Sequence, residues 1–101
     1  MVEPLYKLVW TKNAQVQLHS YYLHILNDSE QNAKKVLKEI VQALDKARTN
    51  PKFYGPDRDK LNNNGTYRAF EKHRCRISYQ IAGNEIVVIR ARHVRMNPKP
   101  Y

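Results

Sequence analysis

Two hydrophobic periods succeed one another along the chain. From Leu5 to Trp10, short apolar, β-branched and aromatic positions bounded by Pro4 predict a first strand. Thr11 is then placed to cap a helix whose apolar face is Ala14, Leu18, Tyr21, Tyr22 and Ile25, at α-helical spacing. Asn27-Asp28-Ser29 interrupts that pattern. Ser29 is a suitable N-cap for a second helix, and Glu30 suits the positive end of its dipole. Ala33, Val36, Leu37, Ile40, Leu44 and Ala47 form the second stripe, and Pro51 ends it by forcing Asn50 out of helical geometry. Two amphipathic helices with a tight connection make an antiparallel hairpin that needs an apolar surface to cover.

Residues 52–65 carry Gly55, Pro56, Asn62-Asn63-Asn64 and Gly65, and predict a loop. The period then changes to two. Tyr67 to Glu71, Arg74 to Ile81 and Ile86 to His93 predict three further strands. The expected architecture is α+β, in the order β-α-α-β-β-β. The helical hairpin packs on one face of a mainly antiparallel four-stranded sheet, and the other face meets solvent or a partner.

Strand phase identifies what the second face carries. Cys75, Ile77, Tyr79 and Ile81 alternate with Arg74, Arg76, Ser78 and Gln80, and Val87, Ile89 and Ala91 alternate with Ile86, Val88, Arg90 and Arg92. A three-residue loop at Gly83-Asn84-Glu85 pairs Gln80 with Val88, Ser78 with Arg90 and Arg76 with Arg92. It puts every odd, apolar residue under the helices. A two-residue turn at Lys72-His73 pairs Phe70 with Cys75 and sets Glu71 opposite Arg74. The expected open face thus gathers Arg74, Arg76, Arg90 and Arg92 around one carboxylate.

Charge gives that cluster a meaning. The 101 residues suit one domain, 1–101, and carry 18 Lys and Arg against 9 Asp and Glu, a formal net charge of +9. Residues 66–101 hold only Glu71 and Glu85 as acids, too few to neutralise Arg68, Lys72, Arg74, Arg76, Arg90, Arg92, Arg95 and Lys99 locally. Guanidinium forks match phosphate oxygens, so a polyanionic partner is expected on this face. The tail from His93 to Tyr101 places a tyrosine beside arginines, a pairing suited to stacking on an unpaired base.

The remaining chemistry narrows the field. A lone Cys75 inside an apolar alternation excludes an intrachain disulfide and reads as a buried structural thiol. There is no glycine-rich phosphate loop, no HExxH and no paired-cysteine spacing, so neither metal nor cofactor is expected. His19 and His24 read as structural or surface residues, whereas His93 ends a strand near arginines. The opening Met1-Val2-Glu3-Pro4 lacks the features of a signal peptide. No apolar run approaches the ~18 residues of a membrane helix. A cytoplasmic protein without membrane contact is expected.

Taken in order, the opening strand ending in Trp10, the hairpin, Asn50-Pro51 through Leu61, Arg76-Ile77-Ser78-Tyr79, and Ile86 to Arg90 followed by His93, Arg95 and Tyr101 resemble the RelE/ParE toxin superfamily. The resemblance implies the toxin of a bacterial type II toxin–antitoxin system. RelE-like and YoeB-like members cut mRNA in the ribosomal A site, and ParE-like members poison DNA gyrase. Arg76, Arg95 and Tyr101 match the RelE-type arginines and tyrosine. Asp59, two residues before Leu61, is the nearest match to a YoeB-type loop base. The second strand departs from the RelE pattern, with Arg68 and either Phe70 or Glu71 where two lysines stand. Ser29, Ala33 and the Asn50-Pro51 that follows Leu44 look more like ParE.

The resemblance leads to a metal-independent ribosome-dependent endoribonuclease. In it Arg76 and Arg95 stabilise phosphate charge, Glu71 or Asp59 acts as base, and Tyr101 orients the RNA. Arg68, Arg74, Arg90, Arg92 and His93 would bind RNA. The alternatives are a gyrase inhibitor without nuclease activity and a non-catalytic RNA-binding module. The partners expected are a cognate acidic antitoxin, together with the ribosome and mRNA or, in the alternative, gyrase.

Overall fold

A computed structural model describes residues 5–95 and 100–101. Pro4, and the tail residues Met96, Asn97, Pro98 and Lys99, lie outside the described residues. The elements follow the expected order: β1 (Lys7–Trp10), α1 (Lys12–Leu26), α2 (Glu30–Thr49), β2 (Tyr67–Lys72), β3 (Cys75–Ala82) and β4 (Glu85–His93). The sheet order is β1-β4-β3-β2, with β1 parallel to β4 and the other pairs antiparallel. No helix among the described residues is long and apolar enough to cross a membrane.

Both helix starts are built as their sequences predict. Thr11 Oγ1 accepts from the Ala14 amide at 3.1 Å, and Ser29 Oγ from the Asn32 amide at 3.1 Å. Each satisfies one of the amides that a first turn leaves without a partner. The two helices share the burial unequally. From α2, Ala33, Val36, Ile40, Ala43, Leu44 and Ala47 are buried, whereas from α1 only Ala14 is. The core they cover consists of Phe70, Cys75, Ile77, Tyr79, Ile86, Val88 and Ala91. Burial pushes the Cys75 thiol up to about 12. Ellman's reagent should therefore leave the native protein unmodified and titrate one thiol after denaturation; rapid native reaction would contradict this packing.

Three expectations about the strands are corrected. First, the β2–β3 turn is His73-Arg74, so Glu71 faces Arg76 and Phe70 faces Ile77. Both turn residues are left-handed, at φ 50° and 64°. The turn is pinned by the Tyr21 hydroxyl donating to His73 O, by His73 Nε2 at 2.8 Å from Glu39, and by the Val94 amide donating to Arg74 O. Second, Arg74 is therefore a turn residue and leaves the strand face.

Third, the β3–β4 connection is the two-residue Gly83-Asn84, with Gly83 at φ 59°. Arg76–Arg92 and Ser78–Arg90 pair as expected, but Gln80 pairs with Val87 rather than Val88, because the register slips between Ser78 and Tyr79. A β-bulge at Ile89 absorbs the extra residue. It reverses the phase of β4 part-way along, so that Ile86 and Val88, expected on the outward side, face the core before it and Ala91 after it. Val87 and Ile89, expected in the core, are only half-buried. Arg90 and Arg92 stay outward.

Candidate functional site

The face opposite the helices is not left open. The segment after α2 folds back along the free edge of β2, with the Asp57 amide donating to Tyr67 O and the Ala69 amide to Gly55 O. Aromatic anchors fix its course. Tyr54 stacks on Phe70 at 4.6 Å and donates its hydroxyl to Ala43 O, and the Tyr79 hydroxyl donates to Pro51 O at 2.7 Å. The guanidinium of Arg68, expected to bind RNA, donates to Gly65 O and to Tyr54 O within this scaffold.

That course brings Asp57 and Asp59 over β3, where they close on Arg76. Arg76 Nη2 lies 2.9 Å from Asp57 Oδ1, its Nη1 3.3 Å from Glu71 Oε1, and its Nε 3.4 Å from Asp59 Oδ2. The last contact supplies charge but no hydrogen bond, so Nε is a buried donor without an acceptor. The Arg76 side chain is 16% exposed and that of Asp57 wholly buried. Glu71 is shared with Arg58 at 3.7 Å.

Local acids therefore do neutralise Arg76, against the expectation from residues 66–101, because two of the three come from the preceding loop. Sequence reasoning missed Asp57 and Arg58 altogether. The available signal was the pair of acids just ahead of a strand otherwise short of them.

Asp57 is the best-satisfied group of the site. Its carboxylate also accepts from the Tyr101 hydroxyl at 2.7 Å and from the Asp59 amide at 3.1 Å. Burial alone would raise its pKa. Hydrogen bonds from Tyr101, Arg76, the Asp59 amide and Ser78 outweigh that, and the net effect holds it below the ordinary carboxylate value. Tyr101 moves the other way, raised by burial and by its bond to Asp57. Its ring lies against the Arg90 guanidinium, 4.5 Å from the centroid.

Beside Arg76 opens a cleft whose charged lining is Arg58, Arg76, Arg90 and Arg92 against Asp59 and Glu71, with His93 at its end. Of the expected catalytic set, Arg76, Glu71, Asp59 and Tyr101 come together. Arg95 is exposed beyond the end of β4 and is not part of the cleft lining. Arg90, Arg92 and His93 border the site; Arg68 and Arg74 do not. Among the described residues no group of three or more His, Cys, Asp or Glu is placed to hold a metal ion.

A helical hairpin on such a sheet, with an acid-clasped strand arginine, can be set against known families. Residues 8–98 match the family described as the ParE toxin of the type II toxin–antitoxin system parDE. The chain belongs to the ParE toxin family. It is thus a toxin of a type II toxin–antitoxin system, within the RelE/ParE superfamily.

Solved structures share the fold of this ParE-family toxin. The chromosomal ParDE system of P. aeruginosa is similar at 17% identity and TM-score 0.69, covering 90% of this chain and 98% of that one. The RelBE2 complex of Mycobacterium tuberculosis aligns at 18% identity and TM-score 0.59, over 88% and 98%. The YoeB dimer of Staphylococcus aureus aligns at 22% and 0.59, over 89% and 97%. The search of curated proteins returned no match.

Proposed function

We propose that this toxin acts by binding and inhibiting DNA gyrase and does not cut mRNA, and that a cognate acidic antitoxin neutralises it. The observation that carries this reading is the clasp on Arg76. Cleavage of RNA needs cationic donors aimed at the phosphate and a base within about 2.6–3.2 Å of the attacking hydroxyl. Here the matched arginine already faces Asp57, Asp59 and Glu71, and the two candidate bases Asp59 and Glu71 are spent on it. Membership of the ParE family supports the same target. The net charge of +9 favours an acidic chain as the neutralising partner.

The test sets both activities side by side. Purified toxin with gyrase and plasmid should block supercoiling and accumulate linear DNA, while mRNA on programmed ribosomes stays intact. Breaks at the A-site codon that disappear in Arg76→Gln, with gyrase unaffected, would reverse the assignment to the ribonuclease.

A further inference from the structure

β1 is an outer strand of the sheet, and its ladder phase is fixed at both ends. The Lys7 amide donates to Asn84 O at 2.9 Å and the Thr11 amide to Val88 O at 3.0 Å. In this parallel pair the odd residues therefore turn their backbone groups to β4, and the even ones turn theirs outward. Tyr6 is already answered on that outer side. Its amide donates to Arg48 O at 3.1 Å and its carbonyl accepts from Arg48 Nε at 2.8 Å. Arg48, in the last turn of α2, thus stands where the first residue of a fifth strand would. For the outward N–H and C=O groups of Leu8 and Trp10 there is no partner among the described residues.

Leu8 and Trp10 lay their side chains against the helical side of the core. Trp10 also lines a groove of about 450 Å³, together with Gln15, Leu18, His19 and Tyr22 of α1 and Leu37 of α2. An unpaired backbone edge and a largely apolar groove meet at one residue.

We propose that this edge is a strand-addition site that takes an extended segment of a partner chain in which apolar and acidic residues alternate. A strand laid beside β1 alternates in phase with it, so every second side chain faces the groove and the others lie on the side of Lys7. Charge selects the acids. Exposed lysines stand at both ends of the edge, Lys7 before Leu8 and Lys12 beyond Trp10, and no Asp or Glu is among the groove residues. The same lysines disfavour a second copy of this +9 chain, edge lysines being a guard against self-pairing. A helix in the groove would leave the Leu8 and Trp10 backbone groups unmatched. Nothing in the proposal rests on the choice of gyrase.

The probe is the end-blocked synthetic peptide Glu-Val-Glu-Val-Glu-Val-Glu, added at low salt to the isotope-labelled toxin. In the free toxin the Leu8 and Trp10 amides should exchange freely with solvent. With free peptide at ten times its dissociation constant, both should slow by about tenfold, while the Val9 amide, turned to β4, stays as it was. Two further peptides carry N-methyl groups, one on its valines and the other on its glutamates. The peptide methylated on the side facing β1 should bind about tenfold more weakly or worse, and the other should bind like the parent. On the toxin, Lys7→Gln with Lys12→Gln should weaken binding about two- to fivefold.

Any other pattern between the methylated peptides overturns strand addition. Equal binding of Lys-Val repeats overturns the acidic assignment, and equal binding of Glu-Ser repeats overturns the role of the groove. Protection of Leu8 and Trp10 that appears without peptide and grows with toxin concentration assigns the edge to a second copy and overturns the partner. No protection at millimolar peptide, or shifts centred on the Arg76 cleft, overturns the site. The peptide arms all use the wild-type toxin, so they stand even if the double lysine variant misfolds.

Discussion

Replacing Asp57 by alanine is expected to destabilise the fold by about 3–5 kcal/mol, because it breaks a buried ion pair and removes the acceptor of the Tyr101 hydroxyl and the Asp59 amide, leaving Arg76 only the longer contacts to Glu71 and Asp59. The penalty comes from breaking a buried pair, not from the worth of the pair itself. Its neighbours should behave differently. Glu71 has a side chain 47% exposed, and Glu71→Ala should cost about 1 kcal/mol or less, as exposed ion pairs do. Urea unfolding of the two variants measures the contrast. A loss at Asp57 no larger than that at Glu71 would mean the site is solvated and the clasp is not holding the loop.

The same carboxylate sets the acid limit of stability. Its folded pKa lies below the ordinary value, so it contributes stability that is present above about pH 4 and is lost as pH falls through the depressed value. Tyr101 has the opposite sign. Its folded pKa is raised, so its contribution is complete below about pH 10 and is lost as pH rises through the folded value. Asp57→Asn should flatten the acid limb and leave a smaller alkaline one.

Sequence periodicity reached the fold because most of what defines it is local. Ser29 caps and the α2 stripe buries where the spacing puts them. The misplaced features have distant causes. The β2–β3 turn contains neither the Asn nor the Gly that marks a tight hairpin, and it is held by Tyr21 and by Glu39 on the two helices. The bulge in β4 exposes backbone groups that are answered from far away: the Ala91 amide donates to Gln17 Oε1 at 2.8 Å, and Thr11 Oγ1 donates to Ile89 O at 3.3 Å. Those partners lie 74 and 78 residues distant along the chain.

The site follows the same rule. Arg76 and Arg90 were legible from strand phase, and Tyr101 from the resemblance. Asp57 was not, because its position over β3 depends on Tyr54 finding Phe70 and Tyr79 finding Pro51. A loop's composition says that it turns; only tertiary anchoring says where its acids land. That one missed residue moves the functional reading, since it converts a phosphate-ready arginine into a neutralised one.

The unequal division of burial between the helices leads to the second large effect. Leu44 is wholly buried in the core under α2, and Leu44→Ala should cost about 2–5 kcal/mol through lost burial and the cavity left behind. Domains of this kind are stable by only about 5–15 kcal/mol, and each kcal/mol is worth about 4–8 °C for a domain of this size. The melting midpoint should therefore fall by roughly ten degrees or more. On the outer face of α1 truncation is nearly silent: Val16 is 60% exposed, and Val16→Ala should stay within about 0.5 kcal/mol. Thermal melts of the two variants measure the contrast between the covered face of α2 and the outer face of α1, whose inner face still packs Leu18, Tyr21 and Ile25 on the core. Equal losses would show that α1 is buried in solution by something that covers Val16, and the melt would then depend on protein concentration if that cover were a second copy.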